Sequence, residues 1–132
     1  MIAKILCANG FPVIMQTENF VVQGLWIGSN LELMEQLSIK SFLANGHHYH
    51  LYVYEPVKNV PKGVMVQDAN AVIPSREIFA YANGPGRGSV SAFSNIFRYQ
   101  LLYEKGGWWA DLDVVCLRPF DFKGVNVILS WK

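Results

Sequence analysis

Val21-Val22-Gln23-Gly24-Leu25-Trp26-Ile27-Gly28 is an almost unbroken apolar run closed by a glycine, the pattern of a buried core strand. The next 26 or so residues decide the kind of sheet. Ser29-Asn30 can cap a helix, Glu32 suits its first turn, and Leu33, Leu37, Phe42 and Leu43 broadly follow helical spacing on the inner side. Asn45-Gly46 stops that helix, and Tyr49-His50-Leu51-Tyr52-Val53-Tyr54 alternates and is rich in aromatics, as a second strand would be. Strand, helix and strand in this order make a βαβ unit, so the fold class predicted is α/β with a mostly parallel sheet.

Farther along, 56–61 reads as a loop and Val64 to Asp68 as another short strand. Ser75 to Tyr81 predicts a short helix ended by Asn83-Gly84-Pro85-Gly86. The glycine-rich stretch through Gly88 invites comparison with a phosphate loop, but it lacks GxxxxGK[ST] and follows no clear strand, so an ordinary turn is the better reading. Ser89 to Lys105 is the clearest helix: Phe93, Ile96, Phe97 and Leu101 cluster on one face, with Ser91, Asn95 and Arg98 as a polar stripe beside it. Gly106-Gly107 ends it, Trp108 to Leu117 reads as a strand closed by Pro119, and Val125 to Trp131 alternates like one more.

Composition sets the outer bounds. The chain has 132 residues, enough for one domain with a real core, and 52% are apolar against 16% charged, so a buried centre is expected. The net charge of +1 and the lack of a dense Lys/Arg cluster argue against a nucleic-acid-binding face. Cys7 and Cys116 stand alone and read as buried thiols in a reducing compartment. His47, His48 and His50 resemble a metal cluster only superficially, and a solvated turn is preferred. No stretch reaches the roughly 18 apolar residues of a membrane span. Met1 to Met15 reads as a strand or loop packed on the domain rather than a signal peptide. The expected location is cytoplasmic, with a peripheral place at the inner membrane face also compatible.

The chemistry concentrates in Gly106-Gly107-Trp108-Trp109-Ala110-Asp111-Leu112-Asp113. On a strand, alternation would send both aspartates to one face and Leu112 to the other. Two like charges side by side are unfavourable unless a cation or a dense set of donors holds them. A divalent metal that also touches phosphate oxygens would do so.

Ser94-Asn95-Ile96-Phe97-Arg98, Leu101-Leu102-Tyr103 and Gly106 through Val114 together resemble the sugar-binding region of the DXD-motif glycosyltransferases. That family includes the initiating α-1,6-mannosyltransferases and many bacterial capsule and lipopolysaccharide transferases of polysaccharide biosynthesis. Its pattern runs Ser-Asp-x-x-Arg, a hydrophobic helix, then Gly-Gly-x-Tyr-x-Asp-x-Asp. Gln23-x-x-Trp26-x-Gly28 is similar to its first strand, and the likeness covers roughly residues 20–120.

The resemblance implies a Rossmann-like GT-A nucleotide-diphospho-sugar fold, with residues 1–132 forming a single, shortened domain equivalent to its N-terminal donor-binding part. It further implies a metal-dependent, retaining glycosyltransferase. Asp113 would ligate Mn²⁺ or Mg²⁺, and Asp111 would hold ribose or sugar hydroxyls and reach the metal directly or through water. Arg98 and Asp111 are the catalytic candidates, and Trp26, Asn95, Arg98, Trp109 and Asp111 the donor-binding ones. Trp109 replaces the family's usual tyrosine. The partners implied are a UDP- or GDP-sugar donor and a glycan or lipid-linked glycan acceptor.

The chemistry agrees with that assignment: a cation can stabilise the departing nucleoside diphosphate, and Arg98 adds a fixed positive fork. Trp26 at a strand end could stack on a base, although tryptophans are more often core. Asn95 stands where the family usually has aspartate, and the chain ends soon after the motif. Both departures keep a second expectation in view, a catalytically weak or inactive nucleotide-sugar-binding module. A metal-dependent phosphohydrolase is a third, for which the sequence supplies no further ligands.

Overall fold

The computed structural model describes residues 2–5, 21–120 and 127–130. Its strands are β1 (Ile2–Ile5), β2 (Val21–Trp26), β3 (His48–Val53), β4 (Met65–Asp68), β5 (Gly107–Ala110) and β6 (Val127–Ser130); its helices are α1 (Leu33–Ala44) and α2 (Ser91–Lys105). All six strands join one sheet in the order β4-β3-β2-β5-β1-β6. The first four in that order are mutually parallel, and β1 runs antiparallel to both β5 and β6. The fold is α/β around a parallel core, as the βαβ reading predicts, and it is compatible with the N-terminal part of a Rossmann-like GT-A fold.

Strand alternation sends side chains into two cores. Val22, Tyr49, Leu51, Val53, Trp108 and Ala110 pack with Ile39 and Phe42 of α1 on one face. Leu25, Tyr52 and Trp109 pack with Phe93, Phe97, Leu101 and Leu102 of α2 on the other. The two helices therefore cover opposite faces of the sheet, and the adjacent tryptophans divide between them.

The strand order contains a reversal. From β2 the chain steps outward to β3 and β4, and then α2 carries it back to β5 on the other side of β2. A topological switch point therefore lies between β2 and β5, and in open parallel sheets ligands bind outside the carboxyl ends of the strands at such a point. Trp26 ends β2 and Asp111 follows β5.

Several local expectations change. α1 begins two residues after the predicted caps: Glu32 is its N-cap and the Glu35 carboxylate accepts from the Glu32 N–H at 2.8 Å. Its buried residues are Ser38, Ile39 and Phe42, whereas Leu33 is 82% exposed and Leu37 is also outside, because Leu31 in the preceding loop fills the core beneath the helix start. Ile96 likewise faces outward on α2, and Arg98 is turned in. The helix expected over 75–81 shrinks to one 3-10 turn at Ser75–Glu77, after which Ile78 is already extended. Residues 81–89 form a turn closed by Tyr81 N–H to Ser89 O at 3.0 Å and Gly88 N–H to Tyr81 O at 2.9 Å.

The strand expected over 108–117 stops at Ala110. The chain then turns, with the Val114 N–H donating to the Asp111 carbonyl at 3.2 Å. Beyond the turn the alternation persists, Cys116 buried and Val115 and Leu117 exposed, but the segment lies against α1 instead of joining a ladder. His47 is also buried, its Nε2 accepting from the Phe120 N–H at 3.2 Å, so the histidine run is not a solvated turn. Cys116 is a buried free thiol whose pKa burial raises; Cys7 lies outside the described residues.

Candidate functional site

Between α2 and β5 the backbone takes φ values of 64° at Gly106 and 87° at Gly107, a left-handed passage that favours glycine at both positions. The Gln23 amide on β2 donates to the Gly106 carbonyl at 2.8 Å, tying this corner to the sheet centre. β5 can therefore leave α2 sharply and run beside β2 toward the switch point.

At the end of β5 the two aspartates meet different surroundings. Leu112 is buried and acts as the anchor of the turn. Asp111 is half-buried: its Oδ1 accepts from the Trp109 indole N–H at 2.9 Å and lies 3.9 Å from Arg98 Nη1. Burial pushes the Asp111 carboxyl pKa up, while the Trp109 hydrogen bond and the Arg98 charge act against it. Asp113, two residues on, is exposed. Leu112 is thus inside, Asp111 half-buried against α2 and Asp113 exposed, in a turn rather than by strand alternation.

Arg98 is only 4% exposed, and its Nε has no hydrogen-bond partner among the described residues. Its guanidinium carbon lies 5.0 Å from the centroid of the Tyr99 ring. A buried guanidinium with one long ion pair and an unpaired N–H retains capacity for an oxygen-rich ligand. Asn95, one helical turn earlier on α2, is exposed.

The remaining predicted residues divide. Trp26 is half-buried at the end of β2, with its indole N–H buried, unpaired among the described residues, and close against Gly28. Trp109 is 1% exposed and packed against Phe97, and its indole N–H is the donor to Asp111 Oδ1. Among the described residues no group of three or more His, Cys, Asp or Glu side chains gathers to hold a metal.

Tyr49 was not legible as a site residue. Its ring crosses beneath β2, and its hydroxyl is fully buried without a hydrogen-bond partner among the described residues. Burial and the nearby Asp111 charge both raise its pKa. The only hint in the sequence is Gly24 in the middle of a strand, which marks a close approach. A Cβ there would lie 2.6 Å from the Tyr49 hydroxyl and 2.9 Å from Leu112 Cδ1.

No helix among the described residues is long and apolar enough to cross a membrane. No curated protein and no solved structure matches the chain. A family model does: the glycosyltransferase sugar-binding region containing DXD motif matches residues 87–130. The match takes in α2 with Arg98, the glycine corner, β5 and the aspartate turn, which are the parts that build this site. On that match, residues 87–130 read as a DXD-motif sugar-binding region, and the function they indicate is of the glycosyltransferase type.

Proposed function

We propose that the chain is the donor-binding part of a metal-dependent, retaining glycosyltransferase that moves a hexose-type sugar from UDP or GDP onto a glycan acceptor. The observation that carries this reading is the Asp111-Leu112-Asp113 turn at the switch point, beside the buried Arg98 and within the matched region. The donor set suits Mn²⁺ or Mg²⁺ held jointly with a substrate: two hard carboxylates are too few for a protein cage, and such ions are commonly bound by one or two carboxylates plus substrate phosphates. When bound, the ion neutralises charge developing on a departing nucleoside diphosphate.

The chain's own residues take distinct roles in this reading. Asp113, exposed on the turn, ligates the ion. Asp111, oriented by Trp109 and Arg98, accepts from ribose or sugar hydroxyls on the inner side. Arg98 presents its unpaired N–H to a phosphate or sugar oxygen. Trp26, at the carboxyl end of β2, stacks on the base, and Asn95 hydrogen-bonds the sugar from α2.

A neutral Asn95 in place of the family's aspartate favours a second reading, a donor-binding module with little or no transfer activity. Calorimetry with UDP- and GDP-sugars in Mn²⁺, paired with a donor-hydrolysis assay, separates the two. The expected result is metal-dependent binding that Asp113→Ala abolishes, with slow hydrolysis that Asn95→Asp raises. Tight binding without turnover in either protein supports the module. No metal-dependent nucleotide binding in the unaltered chain sinks both.

A further inference from the structure

The carboxyl flank of the aspartate turn is held by a helix. Among the described residues the β5 ladder does not extend past Ala110, so the backbone groups of the next residues need other partners. Two serines of α1 and its C-cap, Asn45, supply them. Ser38 Oγ donates to the Val114 carbonyl at 2.5 Å, Ser41 Oγ accepts from the Cys116 N–H at 2.8 Å, and Asn45 Nδ2 donates to the Cys116 carbonyl at 3.0 Å.

The spacing matches on both sides. Positions 38, 41 and 45 fall on one helix face, and 114 and 116 are the inward residues of an extended segment. The clasping groups are themselves oriented: Ser41 Oγ donates to the Ser38 carbonyl at 2.6 Å, and Asn45 Nδ2 also reaches the Ser41 carbonyl at 2.8 Å. A fully buried serine facing an otherwise apolar core is costly unless its hydroxyl is bonded, and here the bond goes to the residue after Asp113. Val114 is consequently tied twice, by its N–H to Asp111 and by its carbonyl to Ser38, with Asp113 just before it.

We propose that Ser38, Ser41 and Asn45 are positioning residues for the aspartate turn. They fix the backbone that carries Asp113 relative to Asp111 before any cation arrives, so that a divalent ion shared with a diphosphate meets a prearranged turn. The inference rests on the donor-site reading of the two aspartates. Supporting groups around metal ligands act in this way, and their loss typically costs ten- to a hundredfold in metal affinity.

The test uses the whole chain, Mn²⁺ titration by calorimetry with UDP or GDP present, and amide hydrogen exchange. Ser38→Ala should weaken Mn²⁺ binding about tenfold, Asn45→Ala by a smaller factor, and Ser38→Ala should speed exchange at the Val114 amide about tenfold. Ile73→Ala, a core truncation on the opposite face of the sheet, controls for general destabilisation and should leave both readouts unchanged. Wild-type exchange at Val114 in Ser38→Ala, or an affinity loss no larger than that of Ile73→Ala, overturns the proposal while the donor site stands. Absence of Mn²⁺ binding in the unaltered chain instead overturns the donor-site reading and the positioning role with it.

Discussion

Asp111 and Asp113 share a side chain and little else. Asp111 is committed to Trp109 and Arg98, while Asp113 stands exposed at the tip of the turn. Both aspartates and Arg98 were legible in the sequence because their chemistry is carried by residue type and by spacing along one stretch. Tyr49 was not, because it reaches the turn from β3 across β2, a contact that depends on strand order. Its unpaired hydroxyl makes a sharp prediction. Tyr49→Phe should be neutral or up to about 1 kcal/mol stabilising, since it removes a buried polar group that forms no bond among the described residues. Gly24→Ala should cost about 1–3 kcal/mol, because its Cβ would meet that hydroxyl at 2.6 Å and the Ala110 carbonyl at 3.3 Å. The double variant should recover part of the loss, which urea denaturation of all four proteins measures. Equal costs for Gly24→Ala with and without the hydroxyl would show that the close approach is not the cause.

At the scale of elements, α1 is where reading along the chain misplaces a face. Leu33 and Leu37 suggest an inner side, but the residues that face inward include Ser38, whose bonding partner Val114 lies 76 positions away. Hydrophobic spacing cannot register a partner of that kind, since a serine counts as polar wherever it points. The same separation explains the shortened β5: the alternation of 108–117 is real, yet a helix and not a strand receives its second half. β2, β3 and α2, whose apolar patterns are strong and local, are legible in type and place. The helix phase is directly testable. Leu37→Gln should change stability by less than about 0.5 kcal/mol, whereas Ile39→Ala should cost about 2–5 kcal/mol. Comparable losses from the two substitutions would mean that α1 packs by its other face.

The whole molecule carries its pH response at the two ends of the scale, in groups spread over both faces of one sheet. His50, half-buried on β3, has its pKa lowered by burial and then by the neighbouring His48 and Lys105 charges. The unfolded chain therefore takes up a proton at His50 near the ordinary value of 6.5, before the native state does, and stability falls as the pH drops below that value. At the alkaline end Tyr54 is pushed up to about 12 by burial and by Asp68 and Glu77, and Tyr49 is raised by burial and by Asp111. Here the native state keeps protons that the unfolded chain releases from about pH 10, so stability falls again as pH rises. With the buried Cys116 thiol, whose pKa burial raises from its ordinary value of 9.0, these groups define a plateau between roughly pH 6.5 and 9, bounded by their unfolded-state pKa values. Urea midpoints measured from about pH 5 to 11 should trace it. His50→Gln should reduce the acid shoulder and leave the alkaline one, because it removes a group that the unfolded chain protonates before the native state does. Tyr54→Phe should flatten only the alkaline shoulder, and Tyr49→Phe should reduce it further, since the two hydroxyls lie in different parts of the core and their contributions should add. An acid shoulder unchanged by His50→Gln would mean that His50 titrates alike in both states and that the loss arises elsewhere in the chain.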